Sequence, residues 1–254
     1  MIINVIPLAW KWQRFVDEWY KIPKPIIDVR WKKMIFRSFE SLPKSKKNIF
    51  IVFEEHINKY KLDILLKENI NNCIVISDKN PGWQASTTYK IKQSVDKNDI
   101  INIWACDNAM IYNEEKYKKY IEDDNIDFMV WTFRNYSWVN YNPEQYSYCI
   151  IDNIWNIEKT SLKKSISNNP INDHCMVWAF TFKKACYFFD WFEELRKDNN
   201  TINWEFYIDS IVDYCIKKWL KWKVFEIDKY IWFWTPNDLK TYEYWFDYFN
   251  NKNL

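Results

Sequence analysis

The chain has 254 residues and a formal net charge of +2. It is long enough for a substantial core, and its balanced charge gives no reason to expect a nucleic acid or other polyanion as partner. The six cysteines are scattered without a C-x-x-C pair and only two histidines are present, which argues for free thiols in a reducing cytoplasm and against a zinc site. No leader-like segment and no apolar run of about 18 residues is seen, so a soluble, cytoplasmic protein with no membrane contact is expected.

The chain opens on a short apolar run, Ile2 to Leu8, that reads as a buried strand. A loop carrying Lys11, Arg14, Lys21 and Lys24 follows. Pro25 to Val29 reads as extended, Lys33 to Leu42 as helix and Asn48 to Phe53 as strand. Glu55 to Glu68 has helical spacing through Ile57, Tyr60, Ile64 and Leu65, which predicts one helix. Cys73 to Ile76 and Ile100 to Ala105 read as strands, with a helix over Gln84 to Gln93 between them. A charged helix over Tyr112 to Asp123 and a strand over Ile126 to Phe133 follow. This β-α alternation predicts a mainly parallel sheet with helices on both faces. Tyr146 to Ser167 reads as paired strands turning at Trp155, and Cys175 to Phe182 as a strand. Lys183 to Arg196 and Glu205 to Lys218 read as helices, Trp222 to Ile227 and Lys229 to Phe233 as short strands. A last helix over Pro236 to Asn250 has Thr235 as N-cap. No repeat or long linker divides the chain, so 1–254 is expected to be a single domain.

One pair of counts is abnormal. The chain holds one glycine and 17 tryptophans, whereas average usage of about 7% would give roughly 18 glycines. The tryptophans also stand where glycine belongs. Trp155 lies in the turn D-N-I-W-N, Trp219 at the C′ position after a helical stretch, Trp31 at a strand-to-helix junction, and Trp83 after Asn80-Pro81-Gly82. We therefore expect most of these tryptophans to be glycines in the organism, through a UGA codon read as glycine there and as tryptophan in this text. Strained tryptophans crowded into turns are expected in the fold. Trp131, inside an apolar strand, and Trp245, on the apolar face of the last helix, are expected to be genuine.

With glycine restored, the opening reads A-G-K-G-Q-R-F, then P-K-P, then D-V-R-G-K-K-M-I. This resembles the sugar-1-phosphate nucleotidylyltransferases, whose signature is a G-x-G-x-R-[FL] loop followed by P-K-P. Five further stretches resemble family segments in the same order: Pro81 to Thr87, Trp104 to Asn108, Ser161 to Ser165, Trp204 to Asp209 and Ile231 to Leu239. The resemblance implies a Rossmann-like three-layer α/β/α fold. It also implies transfer of a nucleotidyl group from a nucleoside triphosphate to a sugar 1-phosphate, with Mg²⁺ as cofactor.

By that resemblance, the loop formed by Leu8, Ala9, Trp10, Lys11 and Trp12 wraps the triphosphate with backbone N–H groups. Arg14 stabilises the phosphate charge with its planar fork. Lys24, fixed between Pro23 and Pro25, meets the reacting phosphates. Asp107 ends an apolar strand, where open α/β sheets bind ligands, and a carboxylate there suits Mg²⁺. The resemblance assigns Gln84 to the base edge, Lys164 to the sugar phosphate, Glu205 to sugar hydroxyls and position 178 to the sugar pocket. The family's second carboxylate, two residues before the closing glycine-threonine-proline, is replaced by Trp232. With indoles at 10 and 12 in the phosphate site, the chain as written is expected to be inactive. Two other classes compete: a metal-dependent glycosyltransferase of related fold, and a non-catalytic carbohydrate-binding protein whose aromatic rows would require the tryptophans to be genuine.

Overall fold

The computed structural model describes residues 1–9, 13–80, 84–197, 208, 211, 214 and 218–250. The elements run β1 (Ile2–Pro7), α1 (Gln13–Asp17), β2 (Asp28–Val29), β3 (Lys32–Lys33), α2 (Met34–Phe39), β4 (Lys47–Phe53), α3 (Glu54–Tyr60), α4 (Leu62–Asn69) and β5 (Cys73–Asp78). They continue α5 (Gln84–Tyr89), β6 (Ile100–Ile103), β7 (Asn108–Ile111), α6 (Glu114–Glu122), β8 (Phe128–Phe133), α7 (Trp138–Tyr141), β9 (Tyr148–Ile151) and β10 (Ile157–Ser161). The chain ends with β11 (His174–Phe182), α8 (Ala185–Lys197), β12 (Trp222–Glu226), β13 (Lys229–Trp232) and α9 (Pro236–Asn250).

The main sheet runs β5-β4-β1-β6-β11, and β11 also pairs with β8 and β9. The pairs β4–β5, β1–β4, β1–β6 and β8–β12 are parallel. β11 is antiparallel to β6, β8 and β9. Alternate residues of the strands feed two separate cores. Val5, Ile49, Ile101 and Val130 point to one, closed by Ala85 of α5 and by Phe188 and Phe192 of α8. Ile6, Phe50, Trp104 and Trp131 point to the other, closed by Ile35 of α2, Leu66 of α4 and Tyr117 of α6. Continuous Ile/Val/Phe runs are what a sheet covered on both faces requires, and the result is the expected three-layer α/β/α arrangement. Among the described residues no helix is long and apolar enough to cross a membrane.

A buried polar row crosses the second face. Asn4 stands in register with Asn48 on one side and Asn102 on the other, and Asn102 with Thr181. Asn102 Nδ2 donates to Asn4 Oδ1 at 3.0 Å. The Thr181 hydroxyl and Tyr117 hydroxyl donate to Asn102 Oδ1 at 2.7 and 3.1 Å. Trp131 Nε1 ends the row on Thr181 Oγ1 at 2.9 Å. A one-residue slip of any strand would point these amides into the opposite, apolar core, so the row fixes the sheet register.

Three expectations are corrected. The single helix over Glu55 to Glu68 is two, α3 and α4, because Lys61 between them takes a left-handed conformation (φ 54). The strand expected over Ile100 to Ala105 ends at Ile103, and Asn108–Ile111 instead pairs with β13 in a separate two-stranded sheet. Pro25 to Val29 begins as a 3-10 turn over Lys24–Ile26 before it becomes extended. The predicted helix over Glu205 to Lys218 lies mostly outside the described residues. The last helix carries its expected cap in reciprocal form. Thr235 Oγ1 accepts from Asp238 N at 3.2 Å, and Asp238 Oδ2 accepts from Thr235 N at 2.7 Å, a capping box.

Candidate active site

β1 lies between β4 and β6. One connection leaves β1 toward β4 and β5, and a later one returns to β6 on the other side. Such a reversal opens a crevice at the carboxyl ends of the two central strands. The loop after Pro7 and the segment 104–107 after Ile103 leave the sheet at this point. Leu8 and Ala9 are buried at the start of that loop, and Leu8 N donates to Ile51 O at 2.7 Å. Trp10, Lys11 and Trp12 lie outside the described residues, as do Pro81, Gly82 and Trp83.

Lys24 and Asp107 meet here, 83 residues apart in sequence, with Nζ 2.6 Å from Oδ2. Their side chains are 11% and 22% exposed, so the pair is accessible yet partly shielded from water. The lysine is held by its surroundings. Pro23 and Pro25 fix the backbone. The ammonium sits 5.1 Å from the centre of the Phe15 ring and donates to Trp234 O at 3.3 Å. Beneath it a small core of Phe15, Ile27, Met34, Phe233 and Leu239 joins α1, α2 and α9. On the other side, Phe233 N donates to Asp107 O at 2.7 Å, tying β13 to the aspartate. Cys106, buried next door, has its thiol pushed up to about 12, first by burial and then by the Asp107 carboxylate, so it stays protonated.

The other expected residues fall around this pair. Arg14 lies exposed in α1. Gln84 opens α5, is 3% exposed, and its Oε1 has no partner among the described residues. A buried unpaired amide oxygen is costly and is retained where something else meets it. Trp178 sits in a bulge of β11, where the register against β8 shifts between Met176 and Phe180. Asn108 Nδ2 reaches Val177 O at 3.2 Å, so the bulge borders the segment carrying Asp107. The lysine over the Trp178 ring is Lys163, at 5.6 Å. Lys164 is exposed, and its carbonyl accepts from Ser161 Oγ at 2.7 Å. Glu205 lies outside the described residues.

The segment Ile231 to Leu239 forms one wall of a cleft of about 400 Å³ lined by Tyr136, Tyr146, Tyr230, Trp232, Trp234 and Asp238, among others. It adjoins the ion pair, because Trp234 supplies the carbonyl that Lys24 bonds. Tyr230 stacks on Phe133 at 4.6 Å. Burial and then the charge of Asp107 drive its hydroxyl well above the ordinary range, so it remains a donor. The short strand read over Lys229 to Phe233 and the family-like stretch Ile231 to Leu239 cover one wall of this cleft, whereas nothing in the sequence pointed to Tyr136 and Tyr146. Among the described residues no group of three or more His, Cys, Asp or Glu side chains could hold a metal ion. Among the described residues the carboxylate that meets the Lys24 ammonium is Asp107.

No protein-family model matches the chain, and no curated protein is detectably similar in sequence. Solved structures are similar in shape. A nucleoside-diphosphate-sugar pyrophosphorylase from Vibrio cholerae superposes with a TM-score of 0.74 at 16% identity, over 96% of this chain and 100% of that one. A protein of Bacillus anthracis assigned as a glucose-1-phosphate thymidylyltransferase gives 0.76 at 14% identity, over 96% and 95%. The inositol-1-phosphate CTP transferase of T. maritima gives 0.70 at 14% identity, over 95% and 93%. At such identities the likeness is one of architecture: the chain shares the Rossmann-like α/β fold of these proteins over 95–96% of its length.

Proposed function

We propose that the chain is a nucleotidylyltransferase of one domain that forms a nucleoside-diphosphate sugar, or a similar activated phospho-compound, and pyrophosphate. Its substrates are a nucleoside triphosphate and a sugar 1-phosphate. The observation that carries the reading is the Lys24–Asp107 pair at the carboxyl ends of the central strands. The end-to-end likeness to three nucleotidyltransferases supports it. A phosphate oxygen of the sugar phosphate attacks the α-phosphorus, the α–β bridging bond breaks, and pyrophosphate leaves. Two polyanions must approach, so catalysis is chiefly positioning and charge compensation.

Lys24 is the group placed to compensate that charge. Without substrate it neutralises Asp107; with phosphates in the crevice its ammonium turns to their oxygens. Arg14, one helix away, supplies a second cation from the rim. Gln84 offers its unpaired Oε1 to a donor on the base edge. Lys163 lies over position 178, and Lys164, next to it in sequence, is the lysine the resemblance gives to the sugar phosphate. The donor chemistry fits Mg²⁺, which binds through one or two carboxylates plus substrate phosphates and waters. Asp107 would hold it, and the ion would offset phosphate charge. The free cysteines among the described residues suit a reducing cytoplasm, where these substrates are found.

The test is pyrophosphate release from pairs of nucleoside triphosphate and sugar 1-phosphate, using the full chain with glycine at positions 10 and 12. Turnover with at least one pair is expected, and Asp107→Asn should lower it by about 10²-fold or more with the thermal melt intact. A folded protein without turnover, or turnover that survives Asp107→Asn, would overturn the reading.

A further inference from the structure

Of the described residues other than glycine with positive φ, ten in all, five are tryptophan: Trp19, Trp31, Trp155, Trp178 and Trp219, at φ 66, 61, 70, 61 and 57. Large side chains resist this region, because Cβ crowds the neighbouring carbonyl; glycine does not. We infer that these five positions are glycine in the protein as its organism makes it, whereas Trp131 and Trp191 are tryptophan. This sorting stands apart from the proposed reaction, because it rests on backbone geometry and side-chain burial.

Each of the five fits a structural role reserved for glycine. At Trp19 the hydrogen bonds are those of a Schellman motif. Tyr20 N reaches Phe15 O at 3.1 Å and Trp19 N reaches Val16 O at 3.0 Å. The accompanying apolar contact is Phe15 on Tyr20, with rings 5.0 Å apart. Trp19 is therefore the C′ residue, where glycine is favoured. Arg30 and Trp31 form the two-residue loop between β2 and β3, whose flanking pair is Val29 and Lys32. Both have positive φ, the type I′ turn that prefers glycine second. Trp155 closes the β9–β10 hairpin. Asp152 Oδ1 accepts from Ile154 N and Asn156 N at 2.9 and 2.8 Å, and Trp155 follows in the left-handed position. Trp178 is the left-handed residue of the β11 bulge. Trp219 follows Lys218, whose N–H bonds Tyr214 O at 3.0 Å, again the end of a helical turn.

The side chains agree with the backbone. Trp19, Trp31 and Trp219 are 88%, 82% and 91% exposed, whereas tryptophan is ordinarily well buried. Trp155 does find neighbours, His174 at 5.3 Å among them, and there the backbone alone decides. The contrast lies with Trp131 and Trp191. Trp131 is fully buried without positive φ and donates Nε1 to Thr181. Trp191 is 2% exposed inside α8, packed on Phe188 and Phe192. Glycine at either would leave a cavity, and at 191 would also weaken a helix interior.

Three readouts test the sorting. The gene should show UGA at codons 19, 31, 155, 178 and 219 and UGG at 131 and 191. Peptides of the native protein should carry the mass of glycine at the first set and of tryptophan at the second. In the full-length chain made with this text, Trp19→Gly, Trp31→Gly and Trp219→Gly should each raise Tm by roughly 2–4 °C. Trp131→Gly and Trp191→Gly should each lower it by more than that or abolish folding. UGG codons or tryptophan masses at the first set would overturn the inference, as would Tm losses from the three exposed replacements.

Discussion

Asn102→Leu is the sharpest test of how the sheet that carries the site is held in register. Asn102 is fully buried and bonds three groups: Asn4 Oδ1, the Thr181 hydroxyl and the Tyr117 hydroxyl, at 3.0, 2.7 and 3.1 Å. Leucine has the same branching and number of side-chain heavy atoms, so the replacement chiefly removes polarity. Each group left behind loses its partner where water cannot reach, at a cost of about 1–3 kcal/mol. The Thr181 hydroxyl still accepts from Trp131, so its share lies at the low end of the range and the three together cost about 4 kcal/mol. The apolar gain of leucine offsets about 1 kcal/mol. A net loss of about 3 kcal/mol is expected, a large share of the ~5–15 kcal/mol typical of a folded protein. Urea unfolding followed by circular dichroism should show a lower midpoint with an unchanged slope. A loss below about 1 kcal/mol would mean that the row is not what fixes the register.

Three further outcomes follow. Burial and the nearby Arg134 lower the pKa of His174 to about 4. Its folded value lies below the unfolded value near 6.5, so the stability it contributes is fully present above pH 6.5 and is lost as pH falls toward 4. The loss is about 3 kcal/mol over that window, and His174→Gln should flatten the difference between melts at pH 7 and pH 4.5. Asp238→Ala removes half of the capping box at Thr235 and should cost about 1 kcal/mol in a thermal melt; no change would remove the cap from the account. Lys24→Met leaves Asp107 without its ammonium. It should cut turnover of the glycine-restored chain by about 10²-fold or more while the fold, read by circular dichroism, persists.

Where the sequence carried a strong local signal, the structure agrees. P-K-P and the apolar run ending before Asp107 marked two residues that the fold brings within 2.6 Å. Their meeting rests on the strand order, which alternation of apolar runs predicts well. The N-cap of the last helix was readable from Thr235 and Pro236, because capping is chemistry over four residues; Asp238 completes it. The misplaced tryptophans were readable because φ > 0 is a local demand, and the backbone meets it at Trp31, Trp155, Trp178 and Trp219. What escaped was decided by tertiary pairing. Lys61 breaks a helix without glycine, asparagine or proline to announce it. Asn108–Ile111 is a strand only because β13 lies beside it. Asn4, Asn48 and Asn102 stand at unrelated places in three apolar strands, and only the shared register makes them neighbours. Lys163, left-handed at φ 53, lies over the ring at position 178, a neighbour that the resemblance, which pointed to Lys164, did not name.

The most direct measurement of the central claim follows the α-phosphorus. The glycine-restored chain is incubated with nucleoside triphosphate labelled at the α-phosphate, Mg²⁺ and sugar 1-phosphate. The account predicts label in the nucleoside-diphosphate sugar and unlabelled pyrophosphate in equal amount. Label that stays in intact triphosphate, while sugar is instead transferred from a pre-formed nucleotide sugar, would contradict it and make the chain a glycosyltransferase.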